Sequence, residues 1–346
     1  MKHLKLCAKY TDYLNYLDSE DFASPNVVYI QEMDKVIYNA EPTLPIYVEA
    51  VEPATVAFPK ELEYSRDNIT WEALEAGVSV DIKAGARVYF RANFQTGYAG
   101  ATGIGTFSLN GKCAIGGSIM SLFYGNDYKG KRTQPSGASA YRLFKNASSL
   151  IDASKLLLPV TDTIYENVYG EMFRGCSSLV SAPLCLPAAT VRYGYAYDAM
   201  FKDCVSLVNA PYIRANYIYA SSTYAMRDMF YNCSSLVNAP ALPAKTLGKQ
   251  CYYQMFYGCT NLVTAPALPA TSSLASACYY RMFYGCSKLS YIKAMLTTAP
   301  GGSYSTDWVY GVAASGTFVK NAAATWADTF GASAIPTGWT VETAEA

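Results

Sequence analysis

Tyr252-Tyr253-Gln254-Met255-Phe256-Tyr257-Gly258-Cys259-Thr260-Asn261-Leu262-Val263-Thr264-Ala265-Pro266-Ala267-Leu268-Pro269-Ala270 is the clearest copy of a phrase that recurs through residues 141–295. Its core, Met-Phe-x-x-Cys-x-x-Leu, also stands at 172–179, 200–207, 229–236 and 282–289. A degenerate first copy has Leu143-Phe144, Ala147 in the cysteine slot and Leu150 closing it. The phrase phenylalanines Phe144, Phe173, Phe201, Phe230, Phe256 and Phe283 are spaced by 29, 28, 29, 26 and 27 residues. A period of that size marks a solenoid.

Each copy holds too few apolar residues to bury a core of its own, so its Phe, Cys and Leu must pack on those of its neighbours. The expected spine is Phe144, then Phe173, Cys176 and Leu179, then Phe201, Cys204 and Leu207. It continues through Phe230, Cys233 and Leu236, Phe256, Cys259 and Leu262, and Phe283, Cys286 and Leu289. The Leu-x-x-Ala-Pro-x-Leu-Pro piece reads as a brief strand and a corner, with Pro183, Pro211, Pro240 and Pro266 at strand ends. The Tyr-x-x-Met-Phe segment predicts a short helical turn that carries Met and Phe inward. Paired strands of neighbouring coils would lie about 4.8 Å apart.

The copies "MFRGCSSLVSAPLCLPA", "MFYNCSSLVNAPALPA" and "MFYGCTNLVTAPALPA" resemble the BspA-type leucine-rich repeats of Bacteroidetes surface proteins and of crAss-like phages that infect those bacteria. The match covers roughly half the chain, with several fixed positions recurring together. The resemblance implies a right-handed solenoid with a short β-sheet on one face, a role in adhesion or recognition, and no catalytic residues.

The chain of 346 residues has room for two or three domains. Lys plus Arg is 27 and Asp plus Glu is 27, so the basic excess of a nucleic-acid binder is missing. No stretch reaches the ~20 apolar residues of a membrane span. The opening "MKHLKLCAKYTDYLNYLDSED" lacks the apolar run of a secretory leader, and Lys5 and Leu6 spoil a lipoprotein box before Cys7. The expectation is thus a surface-protein type of repeat on a chain without an export signal.

Ten cysteines invite a disulfide reading, but Cys176, Cys204, Cys233, Cys259 and Cys286 share one repeat slot. Stacked equivalents point the same way, which suits a buried file of thiols better than crossed disulfide geometry. Cys251 and Cys278 share a second slot, and Cys7, Cys113 and Cys185 are isolated. No C-x-x-C pair exists and His3 is the only histidine, which argues against zinc or any other metal.

Taken in order, residues 1–40 are expected to form a small α+β attachment module. Strands are expected at 2–7, 26–31 and 35–38, with a helix from Thr11 to about Asp21. The stretch "SPNVVYIQEMDKVIYN" looks like the opening module of virion proteins from Bacteroidetes phages, and it equally fits an ordinary β-capping element. Residues 41–128 predict a β-sandwich with strands at 46–51, 62–64, 70–74, 78–82 and 88–93 and Trp71 in its core. Gly97, Gly100, Gly103, Gly105 and Gly111 lack the spacing of a phosphate-binding loop and are assigned to turns and bulges. Lys129-Gly130-Lys131 reads as a linker to the solenoid at 129–295. After Met295 the repeat is expected to stop, and 296–346 to form a β cap with strands at 316–320 and 339–342 and with Trp308, Trp326 and Trp339 as a lid.

The expected class is therefore mainly β with short helices: a small α+β module, a β-sandwich, a leucine-rich-repeat solenoid and a cap. No cofactor is called for, and no histidine-based, Ser/Lys or Cys/His catalytic grouping is present. A carboxylate pair of the glycosidase kind has no nominee. Tyrosine, at 31 residues, is the functional lead. Tyr165, Tyr193, Tyr195, Tyr217, Tyr219, Tyr224, Tyr253 and Tyr280 fill the segments between phrases, either as a recognition face or as stacked cover for the spine. The function expected is a non-enzymatic phage virion surface protein, with residues 1–40 bound to other virion proteins and the solenoid facing a host glycan or protein. Alternatives are a bacterial cell-surface adhesin and the binding part of a carbohydrate-active enzyme. A homo-oligomer is possible in sequence terms, though no heptad supports a coiled coil.

Overall fold

The computed structural model describes residues 5–7, 28–32, 35–36, 44–95, 103–131, 133–135, 138–159, 163–271 and 274–344. The helix expected at 11–21 lies outside them. Strand β1 (Lys5–Cys7) pairs in parallel with β2 (Val28–Glu32), which pairs antiparallel with β3 (Lys35–Val36). The chain is mainly β, with a β-solenoid of six phrase-bearing turns and one short α-helix among the described residues.

Residues 44–128 build two sheets from β4 (Tyr47–Ala50), β5 (Ala54–Ala57), β6 (Leu62–Ser65), β7 (Glu72–Leu74), β8 (Ser79–Ile82), β9 (Arg87–Arg91), β10 (Ser108–Asn110) and β11 (Cys113–Ser118). Helix α1 (Ser121–Tyr124) and a 3-10 turn (Gly125–Tyr128) follow, and β12 (Leu150–Leu157) begins the solenoid. One sheet runs β12-β11-β4-β9-β6-β7 and the other β10-β5-β8. Alternation in β8 and β9 sends Val80, Ile82, Val88 and Phe90 inward, as a two-sided strand requires. Trp71 is only half-buried, contrary to the core position expected for it. It enters the edge strand β7, where no further strand covers it, and the Arg91 guanidinium lies 4.1 Å from its ring instead. The expected linker at 129–131 is not a structural gap, because β12 pairs in parallel with β11 across it.

Beyond β12 the strand side of the solenoid narrows to single bridges. Asp152, Ser181, Asn209, Asn238, Thr264 and Tyr291 pair in sequence, each five places after the cysteine slot. Short parallel pieces flank them: β13 (Thr163–Ile164), β14 (Cys185–Leu186), β15 (Thr190–Val191), β16 (Tyr212–Ile213) and β17 (Tyr217–Ile218). The prolines keep these pieces short, since Pro183 and Pro211 sit between each bridge and the next strand and supply no N–H.

The phrase itself forms no helix. It is a train of turns in which the residues nine, five and one places before the cysteine slot are left-handed: Asn167, Glu171 and Gly175 in one rung, Tyr195, Ala199 and Asp203 in the next. Alternate N–H groups then serve two purposes. Met172 and Cys176 donate back to Tyr169 and Phe173 within the rung, while Tyr169, Glu171, Phe173 and Gly175 donate to Ala196, Asp198, Met200 and Lys202 of the following rung. On this side every such cross-rung bond points from one rung to the next. The signal was in the sequence: the slot before each cysteine holds only Gly, Asn or Asp, the residues that tolerate positive φ.

The inward side carries the spine. All sixteen residues named for it are 0% exposed. The phenylalanine rings stack rung on rung at 5.4–5.7 Å, and Phe107 of the N-terminal sheets extends the column by stacking on Phe144 at 5.5 Å. Offset pairs of this kind add about 0.5–1.5 kcal/mol each beyond burial. Each spine cysteine aims its thiol at the carbonyl of the preceding rung's phenylalanine: Cys176 to Phe144, Cys204 to Phe173, Cys233 to Phe201, Cys259 to Phe230 and Cys286 to Phe256, at 3.0–3.1 Å. That carbonyl already accepts its own rung's cysteine N–H, for example Cys204 N–H on Phe201, so the S–H meets the second lone pair without burying a stronger polar group.

Nine cysteines are free and buried, and burial pushes the Cys113 and Cys286 thiols up to about 12. None of the nine is therefore expected to react with a disulfide reagent at neutral pH while the protein is folded, and all should react in denaturant. Stoichiometric labelling of several thiols in the native protein would contradict the buried file.

The repeat does not stop at Met295, as the sequence reading had it. Ser303 to Val312 form one more rung without the phrase, with Trp308 in the methionine slot, Val309 in the phenylalanine slot and Val312 in the cysteine slot. Phe283 N–H donates to Trp308 and Gly285 N–H to Tyr310, as Phe256 and Gly258 do to Met282 and Tyr284. The loss of Met, Phe and Cys together hid the rung. Strands β18 (Tyr291–Ala294), β19 (Thr317–Lys320) and β20 (Thr340–Thr343) continue as a parallel sheet. Trp308 and Trp339 are buried and Trp326 is half-buried over the last rung, and the indole N–H of Trp308 donates to Ala334 at 2.7 Å.

Candidate functional site

Stacking the rungs places the eight nominated tyrosines in two groups. Tyr195, Tyr224, Tyr253 and Tyr280 lie half-buried on the turn side. Tyr195 stacks on Tyr224 at 5.1 Å and Tyr253 on Tyr280 at 4.5 Å. Tyr165, Tyr193, Tyr217 and Tyr219 are exposed and belong to the segments around β13, β15 and β17. Tyr165 stacks on Tyr193 at 5.8 Å, and Tyr217 meets Tyr219 edge-on at 5.0 Å.

The sequence reading missed the longest column. Tyr231, Tyr257, Tyr284 and Tyr310 occupy the slot two places before the cysteine position and stack at 4.6, 4.8 and 4.8 Å. Tyr231, Tyr257 and Tyr284 lie inside the phrase, and Tyr310 in the rung that lacks it. Writing the rungs beneath one another would have found them, because the same slot holds Lys145, Arg174 and Lys202 in the earlier rungs. One surface column thus changes from cationic to aromatic along the solenoid.

Charge knits the columns together. Lys202 lies 4.1 Å from the Tyr231 ring and 2.8 Å from Asp228. Arg227 forks onto Asp198 through two bonds of 2.8 Å and covers both Tyr224 and Tyr195 at 4.5 and 5.5 Å. Burial pushes the Asp198 carboxyl above its ordinary value against the pull of Arg227, while the fork raises the guanidinium, so the pair is held as an ion pair by geometry. Arg281 sits over Tyr280 and Tyr284 at 5.1 and 5.4 Å and pairs with Asp307 at 3.2 Å.

Tyr195 and Tyr224 hold φ of 56° and 57°, a conformation that costs a bulky residue more than the asparagine found at the equivalent Asn167. Their strain is tolerated where ring stacking and Arg227 repay it.

Glu171 is the most heavily satisfied charge. It accepts from the Tyr141 hydroxyl at 2.7 Å, Lys145 at 2.6 Å, Arg142 at 3.0 Å and Arg174 at 3.1 Å. Burial pushes its carboxyl up, but the bonds from Arg142, Lys145 and Tyr141 together hold it well below the carboxylate range. Its role is to tie the first two rungs, not to meet solvent.

No family model, curated protein or solved structure matches the chain. The chemistry of this surface must come from its own geometry. Among the described residues no group of three His, Cys, Asp or Glu side chains converges as a metal site, and no helix is long and apolar enough to cross a membrane. A hollow of 340 Å³ beside β5 and β8 is lined by Pro53, Thr55, Asp81, Lys83 and Asn110. The solenoid offers a wall of aromatic side chains fixed in register.

Proposed function

We propose that the chain is a non-enzymatic surface protein of a phage virion, of the head or tail fibre or decoration type, whose solenoid holds a host surface glycan or protein. The observation that carries the reading is the set of tyrosine columns repeating rung by rung on a rigid stack. Tyrosine offers an apolar ring and a hydroxyl at small entropic cost, and stacking on the rung above removes most of that cost before a ligand arrives. The resemblance of the phrase to BspA-type leucine-rich repeats, and of the 24–39 stretch to virion opening modules, supports the virion setting. In this reading the two sheets of residues 44–118 are a β-sandwich that seats the solenoid, and residues 1–40 attach it to other virion proteins.

The test is adhesion without turnover. Labelled full-length chain is expected to coat cells of a Bacteroidetes host and to leave their isolated capsular polysaccharide at its starting length. Shortening of the polysaccharide would replace this reading with the carbohydrate-active enzyme. Adhesion by a protein whose gene lies among bacterial surface genes, and is absent from particles, would replace it with the cell-surface adhesin.

A further inference from the structure

The turn-side columns spend their ring faces on one another. Tyr231, Tyr257, Tyr284 and Tyr310 are stacked within 20° of parallel, and Lys202 covers the outer face of Tyr231, so the rings inside this column cover one another and only Tyr310, at its far end, is exposed, at 53%. Several open rings lie together elsewhere. Tyr165, Tyr193, Tyr217 and Tyr219 each keep 38–45% of their surface in solvent. Tyr217 and Tyr219 stand at 79° to one another, a floor and a wall.

Arg192 belongs to this same cluster. Its guanidinium lies 5.8 Å from the rings of both Tyr193 and Tyr219 and links the Tyr165–Tyr193 stack to the Tyr217–Tyr219 corner. Arg192 is exposed and has no ion-pair partner among the described residues, whereas Arg142, Arg174, Arg227 and Arg281 along the turn side are each matched by a carboxylate. Glu166, next to Tyr165 in the chain, is exposed and does not pair with it. Gly248 of the following rung packs so closely against the carbonyls of Tyr219 and Ser222 that a side chain there would displace the backbone under the corner.

We infer that the Tyr165, Tyr193, Tyr217 and Tyr219 cluster around Arg192 is a binding site for an acidic sugar, the pyranose ring lying on tyrosine and its carboxylate meeting the guanidinium. This deepens the recognition reading above and rests on it. The chemistry is complementary at each point. A sugar's C–H face packs on an aromatic ring, its hydroxyls meet the phenols, and a planar carboxylate matches the forked donors of arginine, which here have no partner to give up. A neutral sugar would leave the cation unused. A peptide strand would find only two-residue strands to pair with on this side of the stack.

The experiment uses the full chain with a defined oligogalacturonide and the same oligosaccharide after carboxyl reduction, with binding followed by biolayer interferometry. The acidic form is expected to bind at least about tenfold more tightly than the reduced one, and Arg192→Gln to lose about tenfold to a hundredfold, with partial rescue by Arg192→Lys. Tyr219→Ala should weaken both forms together. Equal binding of the two sugars, or an Arg192→Gln chain that binds as before, would overturn the site. Host-cell adhesion separates this failure from that of the parent reading. Adhesion undiminished in Arg192→Gln and Tyr219→Ala removes this site alone, and no adhesion by the unaltered chain removes both. Adhesion abolished by protease treatment of the cells, but not by stripping their polysaccharide, would make the ligand a protein and overturn the sugar.

Discussion

Phe230→Ala is expected to destabilise the chain by about 3–5 kcal/mol, the range for emptying a phenylalanine site in a packed core. The residue is fully buried and stacks on Phe201 and Phe256 at 5.5 Å on either side, so truncation removes two ring contacts and opens a void in mid-column. Its carbonyl also receives the Cys259 thiol, so backbone relaxation into the void would disturb the following rung a second way. Because each rung contacts chiefly its neighbours, a break at this place should divide the stack into two halves of different stability. Urea unfolding followed by tyrosine fluorescence and circular dichroism should show an earlier midpoint or two separated transitions. A single unshifted transition would mean that the column is not what holds the rungs together. Phe230→Leu, which keeps most of the volume, should cost less.

The second large effect is expected at Glu171. Glu171→Gln removes the charge that Arg142, Lys145 and Arg174 share and leaves three cations facing one another across rungs, a loss of about 3 kcal/mol. Its pH dependence has a definite sign. The folded carboxyl is held below its ordinary value, so its contribution is fully present above the unfolded value of about 4.3 and is lost as pH falls from there through the folded one. Asp67, drawn down to about 2 by the Ile69 and Thr70 backbone N–H groups, titrates in the same direction, so the measurement is the difference between parent and variant. Urea midpoints taken from pH 6 down to pH 2 should converge as the parent loses what the variant already lacks. A gap that stays constant over that range would show that Glu171 acts through shape and not through charge.

The solenoid was legible because its signal is written six times. Period, inward Phe, Cys and Leu, and the short pieces set off by prolines all follow from residues that recur at fixed spacing. What could not be read was conformation that depends on a neighbour. A Tyr-x-x-Met-Phe string has helical spacing, yet every second N–H has a partner in the next rung, and that competition converts a helical turn into a train of left-handed turns. The last rung was hidden for the opposite reason. Trp308, Val309 and Val312 keep the apolar character of Met, Phe and Cys but neither their identity nor their sizes, so the hydrogen-bond register is what reveals it. Trp71 was assigned to the core on its type alone, though its place before an edge strand leaves one side uncovered.

Of the candidate site, the individual tyrosines were readable but their division was not. Tyr193 and Tyr195 are two residues apart, and one joins the exposed cluster around Arg192 while the other stacks beneath Arg227. The column from Tyr231 to Tyr310 is hard to read because Tyr231, Tyr257 and Tyr284 lie inside the phrase and Tyr310 in a rung without it, and only aligned rungs show that it begins with Lys145, Arg174 and Lys202.

The one-way sense of the cross-rung bonds on the turn side gives the stack an electrical polarity. Aligned peptide dipoles add along the axis as they do in an α-helix, leaving carbonyl ends toward the N-terminal sheets and N–H ends toward the last rung. The side chains are distributed to match, with Arg142, Lys145 and Arg174 at the negative pole and Asp307 at the positive one. In a chain of zero net charge the side chains thus offset the backbone polarity at both ends, cations against the exposed carbonyls and a carboxylate against the exposed N–H groups.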